Sequence, residues 1–110
     1  MSIEKVRTYL KQFDADNRII EFATSSATVE LAAQAAGCEP ARIAKTLSFK
    51  LHDESVILIV TAGDAKVDNA KYKHFFGCKA KMLTADEVEP DIGHAIGGVC
   101  PFANPPGVKT

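Results

Sequence analysis

Two stretches of this chain carry residue types that could hold a phosphate or an oxygen that gains negative charge. The first is Lys45, in the run Ile43-Ala44-Lys45-Thr46-Leu47-Ser48-Phe49-Lys50-Leu51. The run alternates as a strand does, so Lys45 shares a face with Ile43, Leu47, Phe49 and Leu51. An ammonium on an apolar face must change its pKa, find a partner or bear the cost of desolvation. There it serves as a compact point charge for a phosphate or a polarised carbonyl. The competing reading is a lysine at a strand end that lays its stem on the apolar surface and keeps its head in water. The second stretch is Gly97-Gly98-Val99-Cys100-Pro101-Phe102. Two residues without a Cβ allow a tight turn and close approach of another molecule. Pro101 fixes φ behind them and holds Cys100 extended. Such a loop can aim bare N–H groups at an oxygen that gains negative charge. It can equally be a loop that needs glycine only for its shape.

The remaining reactive side chains are weaker signals. His52 lies in a turn, His74 lies late in a helix where a cation suits the dipole, and His94 stands near the glycine loop, where it could touch a ligand. No pair of histidines has metal-ligand spacing, and there is no HExxH. Cys100 invites a nucleophile reading, but no partner base is identifiable, and a small apolar liner is the better reading. Asp64 and Asp68 could form an acid/base pair. Turn formation by Asp64 and helix capping by Asp68 explain them more simply. There is no GxSxG elbow, no Walker loop and no GxGxxG.

The elements that must position these residues are short. Ile3, Val6, Leu10 and Phe13 fall at helical spacing and predict an amphipathic first helix, ended by Asp14 to Asn17. Arg18 to Phe22 reads as a short strand, followed by a loop over Ala23–Ala27. An alanine-rich helix from about Thr28 to Ala36 stops at Gly37. The strand of Lys45 is joined through the turn His52-Asp53-Glu54 to Val56-Ile57-Leu58-Ile59-Val60. That second run has no polar face, so it belongs near the middle of a sheet covered on both sides. Asp68 caps a helix through about Phe75, and Lys79–Leu83 is a short strand candidate. Thr84-Ala85-Asp86-Glu87 is a capping box, with Pro90 closing that helix. Val108-Lys109-Thr110 reads as the start of a further strand.

The chain has 110 residues, enough for one core and too few for two. The expectation is one mixed α/β domain over residues 1–110, with flanking helices around an antiparallel hairpin. A formal net charge of −1 argues against a broad electrostatic grip on nucleic acid, though not against recognition of a few nucleotides. Three scattered cysteines form no disulfide framework, and neither an apolar leader core nor a bilayer-length apolar run is visible. These features fit a reducing cytoplasm and no membrane partner.

Three motifs occur in order: Ile43-Ala44-Lys45-Thr46-Leu47 after an alanine-rich helix, Gly63-Asp64-Ala65-Lys66-Val67-Asp68, and Gly97-Gly98-Val99-Cys100-Pro101-Phe102. Together they resemble the prolyl-tRNA editing domain family, the YbaK-type aminoacyl-tRNA deacylases, over nearly the whole chain. The resemblance implies a mixed-sheet editing domain that hydrolyses the ester of a small amino acid wrongly attached to tRNA. It implies no metal, no cofactor and no protein nucleophile, with attack assisted by the substrate: by water positioned with a ribose hydroxyl or, for cysteinyl esters, by the substrate's own thiol. Lys45 would orient the terminal adenosine, and Gly98 would offer its N–H to the oxyanion. Gly97 and Val99 would line the substrate, with Phe22 as a pocket wall. The partners implied are the acceptor end of a mischarged tRNA and a synthetase. Family members usually continue well beyond the glycine-proline loop, so their C-terminal part is expected to be missing here. An unfinished sheet edge would then invite pairing with a second copy. The alternative function is a module that binds an aminoacyl-tRNA end or a synthetase without turnover.

Overall fold

A hairpin organises the molecule. In the computed structural model, which describes residues 2–95 and 97–110, β1 (Ala44–Lys50) and β2 (Val56–Ala62) pair antiparallel. The register sets Lys45 opposite Thr61, Leu47 opposite Ile59 and Phe49 opposite Ile57. Asp53 holds the turn between them: its carboxylate accepts from the Ser55 amide at 3.0 Å and the Ser55 hydroxyl at 2.5 Å.

Alternation along both strands sends side chains to two faces. On one face Phe49 and Ile57 form a core with Tyr72, joined by Leu47, Ile59, Val67 and Phe76. On the other, Leu58 packs with Leu83, Val88 and Ile92. The apolar run of β2 therefore has a core on each side, as its composition predicts. Short segments extend the sheet at both edges. The Lys50 amide donates to the Lys81 carbonyl at 2.9 Å, and Phe49 bridges Met82. The Leu58 amide donates to the Lys109 carbonyl at 2.7 Å, with a parallel bridge from Ile57 to Lys109. The strands expected near 79–83 and 108–110 are thus present as single bridges. The edge of β2 at Ile57 and Leu58 is covered by the chain's own last residues rather than left open.

Four helices flank the hairpin: α1 (Ile3–Lys11), α2 (Val29–Ala36), α3 (Asn69–Phe76) and α4 (Ala85–Ile92). Caps fix where three of them begin. Thr28 accepts from the Leu31 amide at 3.1 Å, and Asp68 from the Lys71 amide at 2.9 Å. Glu87 reaches back to the Thr84 amide at 2.9 Å, completing the predicted capping box.

Two expectations fail. Pro90 does not close α4; it lies inside the helix, which runs on to Ile92 and stops at Gly93. The missing N–H costs one helical bond, and burial of Val88 and Ile92 on the sheet offsets it. The strand expected at Arg18–Phe22 is absent. Asp16–Arg18 forms a 3-10 turn, and residues 19–28 carry no regular structure. Residues 20–28 are all exposed, so the β-formers Ile20 and Phe22 have no face to bury and no neighbouring strand to pair with.

Candidate active site

Lys45 occupies the second position of β1, on the same face as Leu47 and Phe49. Its half-buried ammonium donates to the carbonyl oxygen of Ala65 at 2.5 Å. It has therefore found a partner rather than extended into water. Opposite it, the Thr61 hydroxyl is buried with no hydrogen-bond partner among the described residues. Ala65 belongs to the Gly63–Asp68 loop that follows β2, and the Ala65 amide closes a turn onto Ala62 at 3.0 Å.

Gly63 explains why that loop can sit there. A Cβ at this position would run into the Pro40 carbonyl oxygen and would lie 2.7 Å from Val29 Cγ1. Only glycine lets the loop press against α2 and the 3-10 turn at Pro40–Arg42. The turn contributes shape, and the shape delivers a carbonyl to Lys45.

The glycine-proline loop is organised differently from the expectation. Gly97 has φ +82°, the left-handed conformation that its type permits. The Gly98 N–H is not bare: it donates to the Ala95 carbonyl at 2.9 Å. Val99 turns its side chain into the core of Leu58, Leu83, Val88 and Ile92. That core lies on the sheet face opposite Lys45. Lys45 bonds the Ala65 carbonyl and Gly98 the Ala95 carbonyl, and neither residue lines the two surface hollows described below. Phe22, expected as a pocket wall, lies in the irregular segment before α2 with 41% of its surface exposed.

A buried network that the sequence did not reveal holds this loop. His94 is 1% exposed. Its Nδ1 accepts from the Ser2 amide at 3.1 Å, and its Nε2 lies 2.8 Å from the Phe102 carbonyl. A backbone amide only donates and a carbonyl only accepts, so the ring is neutral with its proton on Nε2. His94 thus ties the start of α1 to the far side of the glycine loop. Asn104 adds a bond from Nδ2 to the Cys100 carbonyl at 3.3 Å. The only sequence signal for this network was proximity of His94 to the loop, and proximity does not show which way a ring points.

Cys100 lies beside that imidazole, with Sγ 3.4 Å from Nε2. Nε2 carries the proton, so the ring offers the thiol no lone pair there. Burial pushes the thiol pKa up, away from the thiolate a nucleophile requires. Cys100 is a small buried liner, as its sequence context suggested. Among the described residues, no group of three His, Cys, Asp or Glu side chains is placed to hold a metal ion. No described helix is long and apolar enough to cross a membrane.

Two hollows lie elsewhere on the surface. One, of about 500 Å³, is lined by Glu4, Lys5, Thr8, Tyr9, Gln12 and Ala103. The other, of about 370 Å³, is lined by Asn69, Ala70, Lys73, Lys79 and Ala80.

A sequence model of the aminoacyl-tRNA editing domain matches residues 23–110, which include Lys45, the Gly63–Asp68 loop and the glycine-proline loop. The chain belongs to the aminoacyl-tRNA editing domain family. The editing domain is also 55% identical over 102 residues to the uncharacterized protein YwhH of Bacillus subtilis (strain 168), a match spanning 93% of this chain and 65% of YwhH. It is 28% identical over 99 residues to a proline–tRNA ligase of Bacillus cytotoxicus, covering 88% of this chain and 17% of the ligase. Among solved structures it resembles a candidate trans-editing enzyme for prolyl tRNA synthetase, with a TM-score of 0.82 and 30% identity. That likeness covers 94% of this chain and 66% of the other. The hypothetical protein APE2540 has a TM-score of 0.80 and 27% identity, over 94% of this chain and 69% of that one. The editing domain thus spans about two thirds of the length of YwhH and of the trans-editing candidate.

Proposed function

We propose that this editing domain is a trans-editing deacylase that hydrolyses the ester of a small amino acid wrongly attached to tRNA, without a metal. The observation that carries the reading is Lys45: a cation on an apolar strand face, inside the matched span, held by a loop carbonyl within hydrogen-bond reach. The trans-editing candidate and the proline–tRNA ligase among its relatives support a substrate linked to prolyl-tRNA synthesis. The chemistry needs little machinery. An aminoacyl ester is activated, so positioning a water and placing donors at the developing oxyanion supplies most of what is required. A synthetase discriminates poorly against an amino acid smaller than its own, because one methylene is worth about 1–3 kcal/mol. A second, smaller site can sieve by size.

In this reading Lys45 exchanges Ala65 for the terminal nucleotide, and Gly98 exchanges Ala95 for the substrate oxygen. Gly97 and the backbone of Val99 border the acyl group, and Phe22 closes over it from the irregular segment. Water adds to the carbonyl carbon, the acyl C–O bond breaks, and the departing ribose oxygen takes up a proton. The test is a panel of mischarged tRNAs. Release of a small amino acid is expected, with strong loss in Lys45→Ala and a loss of about 10²–10³ in rate for Gly98→Pro. Unchanged turnover in both variants sinks the assignment.

One observation favours a second reading, a module that binds the charged end without turnover. The Gly98 amide is already engaged by Ala95. Binding of a non-hydrolysable aminoacyl-adenosine, with no ester hydrolysis in the same panel, selects that reading.

A further inference from the structure

The charge of this chain is not spread evenly. Its formal net charge is −1, yet residues 65–85 contain five lysines (Lys66, Lys71, Lys73, Lys79 and Lys81) and one acid, Asp68. The rest of the chain holds eight basic residues against thirteen acidic ones. All five lysines are exposed. Among the described residues none of the five forms an ion pair, whereas Lys50 alone meets three acids. Two of the five meet: Lys73 and Lys79 line the hollow of about 370 Å³, beside Asn69, Ala70 and Ala80.

We propose that this hollow, on α3 and the segment after it, binds phosphates of a tRNA acceptor stem, with Lys73 and Lys79 as the principal contacts. The proposal rests on the editing reading for the identity of the RNA. Three observations point to RNA as the occupant. Two unpaired ammonium groups around one concavity suit a compact dianion or a pair of successive phosphates. The surface is fixed in place, because Tyr72 and Phe76 anchor α3 into the core under Phe49. It lies on the sheet face of Lys45, and Lys66 directly follows Ala65, the residue that holds the Lys45 ammonium. A stem seated along α3 would present its acceptor end to the same side of the sheet. An acidic protein surface is the competing occupant; the editing reading and the sheet face shared with Lys45 favour RNA.

The experiment is binding of a labelled, uncharged acceptor-stem RNA hairpin across a range of salt, read by fluorescence anisotropy. The Lys73→Glu/Lys79→Glu variant should bind at least tenfold more weakly than wild type. Its slope of log affinity against log salt should be shallower by about 2, since each phosphate contact contributes about 0.9. Lys11→Glu/Arg18→Glu makes the same change in net charge elsewhere and should bind like wild type. Circular dichroism establishes that both variants are folded. Wild-type affinity in the Lys73/Lys79 variant overturns the proposal, and so does equal weakening in both variants or a wild type that binds no hairpin. A variant that keeps the hairpin and loses prolyl-tRNA synthetase assigns the patch to a protein and overturns it as well. Deacylation is assayed separately. A wild type that binds RNA through these lysines and releases no amino acid from any charged tRNA leaves the phosphate site standing while the editing reading falls.

Discussion

Ala103 has φ +58°, immediately after the glycine-proline loop and in the wall of the α1 hollow. An L-residue in that conformation is strained by about 1–2 kcal/mol, part of which glycine would return as greater freedom of the unfolded chain. Ala103→Gly should therefore stabilise the fold by about 0.5–1 kcal/mol, seen as a higher urea midpoint with an unchanged slope. Gly63 is the opposite case. Its problem is space, because a Cβ would strike the Pro40 carbonyl and Val29. Gly63→Ala should cost about 1–3 kcal/mol by overpacking. It should also shift the Ala65 carbonyl away from Lys45, so under the proposed function ester hydrolysis is expected to fall by more than the loss of folded protein accounts for. A Gly63→Ala protein as stable and as active as wild type would show that the loop does not need this close approach. What was readable at the residue scale follows from the same distinction. The face of Lys45 was legible because a period of two leaves no choice once the strand is recognised. Its partner was not, because Ala65 returns to it across twenty residues of chain. The fate of the Gly98 amide was hidden for a further reason: glycine admits so many conformations that its presence does not say which one is used.

At the scale of elements, α4 is fastened to β1 by one residue. The Lys50 ammonium meets Glu87 at 2.5 Å, with Asp91 at 3.6 Å and Glu54 at 3.8 Å. Glu87 also completes the N-terminal cap of α4 through Thr84. The hydrogen bond from Lys50, followed by those from Thr84, lowers its carboxyl pKa from 4.5 to about 2. The same pair raises Lys50 above its ordinary 10.5. A carboxyl that is more acidic folded than unfolded stabilises the fold above its unfolded pKa. That contribution is complete above about pH 4.5 and fades as pH falls towards 2. The lysine contribution is complete below pH 10.5 and fades only at more alkaline values. Urea midpoints measured from pH 6 down to about pH 2 should fall more steeply for wild type than for Glu87→Gln. Parallel curves would mean that the bridge adds nothing to the fold. The capping box itself was legible in Thr84 to Glu87, since it depends on local spacing. The end of α4 was not: Pro90 is a local signal to stop, and the burial of Val88 and Ile92 that overrides it is a tertiary one. Arg18–Phe22 failed in the reverse sense, with strand-forming residues present and no sheet edge beside them.

At the scale of the molecule, the hairpin carries two cores and is shielded on both edges by very short segments. Val108 packs half-buried against the core of Leu58, Leu83, Val88 and Ile92, and Lys109 takes the Leu58 amide. These residues therefore decide whether β2 presents paired or open backbone. Removing residues 108–110 should cost about 1–3 kcal/mol, from one buried hydrogen bond and part of a valine side chain. It should also uncover the edge of β2 at Ile57 and Leu58, within the wholly apolar run Val56 to Val60. Exposed edges of that kind pair with other chains. The shortened protein is expected to associate with rising concentration in sedimentation velocity, under conditions where the 110-residue chain does so less. Pairing through β2 predicts that Leu58→Pro in the shortened chain abolishes this association, because proline supplies no edge donor. That variant also disturbs the core, so replacing Val60 with lysine serves as the gentler check. Val60 is already 41% exposed on β2, and a lysine there discourages edge pairing without emptying a buried site. Equal association of the shortened and 110-residue chains would show that the last three residues do not guard the sheet. Loss of association in the Val60→Lys background would place the contact on β2 itself.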